Sequence, residues 1–105
     1  MYLEKFSLKN QIAVVTGAGR GMGFEIARVL GERGATLVIL EIHEANGHDA
    51  VEKLTKEGYS AEFFPVDVTN SASVECVAGK VMAKYKKVDV LVNNAGYADN
   101  FDATG

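Results

Sequence analysis

Thr16-Gly17-Ala18-Gly19-Arg20-Gly21-Met22-Gly23 decides the fold of this 105-residue chain because of what stands on either side of it. Ahead of it lies Ile12 to Val15, a β-branched apolar run too short for a helix, which reads as a strand. Behind it Met22, Ile26, Val29, Leu30 and Arg33 recur at helical spacing until Gly34, a residue suited to the left-handed turn that ends helices. A strand that breaks into glycines and resumes as a helix lets a tight backbone turn and a helix N-terminus close on a pyrophosphate. Side chains must be absent at the closest approach, and glycine meets that need.

Outward from the loop the same alternation continues. Thr36 to Leu40 is a second apolar run, and a second helix is expected from about Ala45 to Glu57, ending at Gly58. Ala61 to Val66 reads as a third strand. Pro65 cannot donate to a sheet ladder, which places that strand at an edge. Val74, Val77, Ala78, Val81, Met82 and Tyr85 follow the spacing of an amphipathic helix and are expected to be core. A fourth strand, Val88 to Val92, then runs into Asn93-Asn94-Ala95-Gly96. Short strands alternating with helices predict an α/β chain with a parallel sheet, a Rossmann-type doubly wound sheet present in part, with strand order 3-2-1-4. Right-handed crossovers would set the first two helices on one face and only the third on the other. One face is then left partly bare, with the fourth strand as an open edge.

The glycine segment does not fit G-x-G-x-x-G, since the last position counted from Gly17 is Met22; it fits T-G-x-x-x-G-x-G. With that spacing, and with Asn93-Asn94-Ala95-Gly96 after the fourth strand, the chain resembles the short-chain dehydrogenase/reductase family from about Ser7 to Gly96. The resemblance implies a dinucleotide held by Gly17, Gly19, Arg20, Gly21, Met22 and Gly23. It also implies a strand-four motif that ties the sheet to neighbouring loops and passes backbone beside the cofactor ribose through Asn94, Ala95 and Gly96. Asp67 and Val68 look like the segment that flanks the adenine ring, where the carboxylate can accept from the exocyclic amine and Val68 can present its backbone. An acid that starts the next helix is the other reading of Asp67.

Glu41, with Ile42 beside it, closes the second strand about twenty residues beyond the glycine loop, where an acid accepts from the adenosine ribose hydroxyls. A solvated strand-end acid is the plainer alternative, and the loop tips the balance. A 2'-phosphate would meet like charge at Glu41, so NAD is expected in preference to NADP. Arg20 opposes this, because in the family a basic residue just before the second motif glycine often accompanies NADP; a surface arginine that frames the loop is its alternative.

The resemblance implies an oxidoreductase that moves hydride between a nicotinamide and a small-molecule alcohol or carbonyl substrate, a homo-oligomer when intact. The competing function is a noncatalytic dinucleotide-binding module. Proton transfer in the family uses a tyrosine with a lysine four residues later, whose charge lowers the phenol pKa. Tyr2, Tyr59, Tyr85 and Tyr97 are followed at that distance by Phe6, Phe63, Asp89 and Phe101. No catalytic residue is therefore assigned. Residues 1–105 are expected to be the amino-terminal cofactor-binding half, with the catalytic half missing and no turnover by this chain alone. The lead-in Met1 to Phe6 is similar to that of some sugar-alcohol dehydrogenases, a weak pointer to polyols.

Composition narrows the partners. A net charge of −3 with acids and bases interspersed offers no basic stripe for a nucleic acid and no polybasic anchor for a membrane. No apolar run approaches a membrane span and the first residues lack the order of a signal peptide, so a cytoplasmic location is expected. Cys76 is the only cysteine, which rules out an internal disulfide, and it is expected to be a buried or half-buried thiol. His43 and His48 have no third ligand type placed beside them, so no metal is assigned.

Overall fold

In the computed structural model, which describes residues 7–94, the apolar runs become four parallel strands. The elements are β1 Ile12–Thr16, α1 Gly21–Glu32, β2 Thr36–Glu41, α2 Glu44–Lys56, β3 Ala61–Pro65, α3 Ser71–Tyr85 and β4 Val90–Asn93. The sheet order is β3-β2-β1-β4, as the chain pattern predicts, with Pro65 at the end of an edge strand. Val14 is the hinge of the register, opposite Val38 on one side and Leu91 on the other.

Side chains alternate across the strands, so one set faces each layer of helices. Ala13, Val15, Leu37 and Ile39 face α1 and α2 and close a core with Ala27, Ala50 and Leu54. Ile12, Val14, Val38 and Val66 face α3, where Val77 and Val81 meet them. Among the described residues no helix is long and apolar enough to cross a membrane.

Several sequence expectations are corrected here. The buried face of α1 is Gly23, Ala27 and Gly31, one step round from the predicted stripe, and Met22 is 73% exposed. The cause is close approach: a Cβ on Gly31 would lie 2.9 Å from the Tyr59 ring and 3.1 Å from Leu37. Small residues let α1 sit on the sheet, and the larger ones are pushed to its flanks. On α3 only Val77 and Val81 are buried, while Val74, Ala78 and Met82 are exposed, because α3 has no neighbouring helix among the described residues to pack that side. Cys76 is exposed as well, since it falls on the outer side of α3. Val88 lies outside β4. Asp89 takes the strand's first tie, its carboxylate accepting from the Ile12 N–H at 2.8 Å and its own N–H donating to the Ile12 carbonyl at 2.9 Å. Val66 follows β3 rather than ending it, yet is buried against α3.

Candidate cofactor site

The carboxyl ends of β1, β2 and β4 come together at one end of the sheet, where the glycine loop leaves β1. Gly17 turns first, with φ +64° and its N–H donating to the Leu40 carbonyl at 2.8 Å. Gly21, the first residue of α1, also has φ +64°, a left-handed conformation that a Cβ disfavours, and a Cβ placed there meets nothing within 4 Å. Gly21 thus faces open space while its backbone is bent in a way other residues resist. Gly23 has the opposite surroundings: its Cβ would come 2.3 Å from the Gly17 carbonyl oxygen and 2.9 Å from Asn94 Nδ2. One glycine leaves an approach open and the other lets helix and loop touch.

The head of α1 is prepared for negative charge. Its first turn carries no acidic residue, and Arg20, extended and exposed at the N-cap, supplies no side-chain cap. The leading N–H groups therefore point outward beside the open face of Gly21, where the helix dipole favours an anion.

Glu41 ends β2 at 8% exposure. Its Oε1 accepts from the Gly19 N–H at 3.1 Å and its Oε2 from the His43 N–H at 3.1 Å. Each oxygen retains a lone pair for a hydroxyl donor. Ile42 is mostly exposed beyond it.

At the end of β4 the Thr16 hydroxyl accepts from the Asn94 N–H at 2.8 Å and lies 3.2 Å from Asn93 Oδ1, joining the ends of β1 and β4. Asn94 Nδ2 reaches toward the Gly17 carbonyl at 3.4 Å, a long contact that still brings the strand-four motif to the glycine loop. Ala95 and Gly96 lie outside the described residues.

Asp67 is set apart from the loop, in the turn before α3. Its Oδ1 accepts from both the Thr69 N–H, at 2.9 Å, and the Thr69 hydroxyl, at 2.6 Å. These bonds, the hydroxyl's first, hold the carboxyl below the ordinary aspartate range. Its own N–H donates to Ser73 Oγ at 3.1 Å, but the cap of α3 is Asn70, whose side chain accepts from the Ser73 N–H at 3.1 Å. Asp67 therefore does not start the helix. Val68 packs its side chain against the α3-side core.

Sequence reading missed Thr16 as a tie between strands, although a hydroxyl at the strand end followed by Asn-Asn downstream could have signalled it. It also missed Asn46, whose Cβ sits 2.7 Å from where a Cβ on Gly19 would be. No local pattern marks Asn46, because the contact crosses from α2 to the loop. His43 enters the site through its backbone only, and among the described residues no cluster of metal-ligating side chains is present.

Comparison with known proteins bears on the same region. The family described as short chain dehydrogenase matches residues 11–104. The chain is 39% identical over 89 residues to the uncharacterized oxidoreductase YxjF of Bacillus subtilis, covering 85% of this chain and 35% of that protein. It is 42% identical over 90 residues to the 3-oxoacyl-[acyl-carrier-protein] reductase FabG of Chlamydia muridarum, covering 85% and 36%. Among solved structures it superposes on a metagenomic short-chain oxidoreductase in complex with NADP with a TM-score of 0.81 at 39% identity, covering 84% of this chain and 40% of the other. The chain thus spans about a third of the length of the curated relatives it matches.

Proposed function

The chain belongs to the short-chain dehydrogenase family of oxidoreductases, and we propose that its glycine loop, Glu41 and the end of β4 bind the dinucleotide of an enzyme that interconverts an alcohol and a carbonyl compound. The observation that carries this reading is Gly21, bent to φ +64° with open space where a side chain would stand, at the uncapped head of α1. The residues fit the group: N–H donors and a helix dipole suit a diphosphate, and no carboxylate in the first turn opposes it. Bound there, the dinucleotide supplies hydride chemistry. The chain's own residues hold and orient it, with Glu41 accepting from the adenosine ribose and Asp67 Oδ2, which takes no bond from any described residue, available to the adenine amine. None of the tyrosines has a lysine four residues on, so binding is what these residues supply. The oxidoreductase and reductase relatives favour this over a noncatalytic module.

NAD is the preferred partner in this reading. A 2'-phosphate would approach a carboxylate already buried at the floor of the site, at a distance where like charges repel strongly in a partly dry pocket. Gly21→Val tests the loop, with loss of dinucleotide binding expected in a folded variant, because a β-branched residue resists that φ and fills the approach. Glu41→Ala tests the preference by calorimetry. NAD affinity should fall roughly tenfold or more, and the ratio of NAD to NADP dissociation constants should move toward unity; an unmoved ratio removes Glu41 from the ribose site.

A further inference from the structure

We infer that Glu41 also pins the glycine loop before any dinucleotide arrives, a positioning role added to the ribose contact and resting on the reading of the loop as a dinucleotide site. Gly19 lies in the turn between β1 and α1, and His43 in the turn between β2 and α2. Among the described residues neither N–H has a backbone acceptor. Each instead donates to its own oxygen of the Glu41 carboxylate, at 3.1 Å in both cases, so one side chain joins two turns that are separate in sequence.

Packing around Gly19 shows that this is a fitted arrangement. A Cβ on Gly19 would lie 2.6 Å from Glu41 Oε1 and 2.7 Å from the Asn46 Cβ, so the carboxylate rests against the bare Cα with Asn46 closing the other side. Gly19 thus serves as the seat for Glu41, a different role from the open approach at Gly21. The Gly19 N–H is buried and, without its acceptor, is left with the whole desolvation cost, whereas His43 is exposed and loses only its tie to the carboxylate. Removing that carboxylate therefore releases both turns, the glycine turn at the greater cost. The remaining lone pairs still face outward, and the ribose hydroxyls meet an acceptor that is already fixed.

The pin predicts protection where turns normally have none. In the dinucleotide-free full chain, hydrogen exchange followed by NMR should find the Gly19 and His43 amides protected about tenfold or more, the worth of a hydrogen bond to a charged group. Glu41→Ala should release both amides and Glu41→Gln, with a single acceptor oxygen, only one, while the Val14 and Val38 amides in the sheet stay protected. Amides unprotected in the unsubstituted chain, or both still protected in Glu41→Gln, overturn the pin even if Glu41→Ala does not fold. Inorganic pyrophosphate, which has no ribose, supplies the second arm, because the two variants are matched in charge. Pyrophosphate should bind Glu41→Gln several-fold more tightly than Glu41→Ala, and equal binding overturns the pin. Protected amides in a chain that binds no pyrophosphate would overturn the dinucleotide reading and leave the pin standing.

Discussion

The two faces of the sheet are built from alternate residues of the same strands, yet they end in different states. On the α1 and α2 face, Ala13, Val15, Leu37, Ile39, Ala27, Ala50 and Leu54 have no exposed surface at all. On the α3 face, Val77 and Val81 are buried, but Leu91, opposite Val14 in the register, is 66% exposed. A groove of about 490 Å³ runs there between α3 and β4, walled by Val66, Val74, Met82, Val88 and Leu91. Both faces present apolar strand residues at their centre, though the α3 face also carries Thr16, Thr36, Glu62 and Asn93, and the larger difference lies in how many helices cover each face among the described residues. Strand composition says that a face wants cover; only the helices present decide whether it has it.

The contrast breaks most visibly at Leu54, the fully buried α2 residue that packs under the sheet. Leu54→Ala is expected to cost about 2–5 kcal/mol, the range for emptying a closed core site. The measurement is denaturant unfolding, with an unchanged slope showing that stability rather than compactness has changed. A loss below about 1 kcal/mol would mean that the α2 face collapses around the hole and is less closed than its burial indicates.

How far the sequence could be read follows the same division. The strand order, the edge position of Pro65 and the loop at β1 were legible because each depends on one local property: β-branched runs, a missing N–H, a cluster of glycines. The buried face of α1 was not, because its periodicity belongs to Gly23, Ala27 and Gly31, which an apolar stripe overlooks. Met22, read into the stripe and into the loop, is an exposed residue at the head of α1. The position of Glu41 at the end of β2 was legible, but its partners were not, since backbone N–H groups of Gly19 and His43 leave no mark in side-chain patterns. Cys76 and the outer half of α3 were misread for one reason: amphipathic spacing shows which residues could be buried and says nothing of whether a neighbour is there to bury them.

A middle-sized effect is expected where α3 is tethered to the edge strand. Tyr85 OH and Lys84 Nζ, the latter at 2.6 Å, both donate to Glu62 Oε1 on β3. Burial pushes the Glu62 carboxyl up, but the Lys84 and Tyr85 hydrogen bonds and the Lys84 charge outweigh it, and the carboxyl titrates below the ordinary glutamate range. Burial, then the Glu62 hydrogen bond and charge, push the Tyr85 phenol up. The Glu62 contribution is therefore present above its unfolded pKa, about 4.3, and is lost as pH falls through the lower folded value. The Tyr85 contribution is present below the unfolded value, about 10, and is lost as pH rises through the higher folded one. Tyr85→Phe should cost about 1 kcal/mol at neutral pH and flatten the alkaline limb of stability relative to the parent. Parallel pH profiles for the two proteins would show that the phenol is not held by Glu62.

The smallest effect is expected on the open face, and its smallness sharpens the comparison. Met82 is 46% exposed along the groove, so Met82→Gln removes apolar surface of which nearly half is already in water. The change keeps the helix, because methionine and glutamine have similar helix propensities and similar length. Stability should shift by no more than about 0.5 kcal/mol, the usual range for a surface position, whereas Leu54→Ala shifts it several-fold more. Solution behaviour should respond instead. The groove joins Val74, Met82, Val88 and Leu91 into one apolar patch beside β4, an edge strand among the described residues, the kind of surface that takes up a hydrophobic dye or a second molecule. Met82→Gln should lower dye fluorescence and reduce association in size-exclusion chromatography with light scattering, at unchanged unfolding midpoint. A midpoint that falls as far as it does for Leu54→Ala would mean that the α3 face is closed like the other, and the difference between the two faces would have to be abandoned.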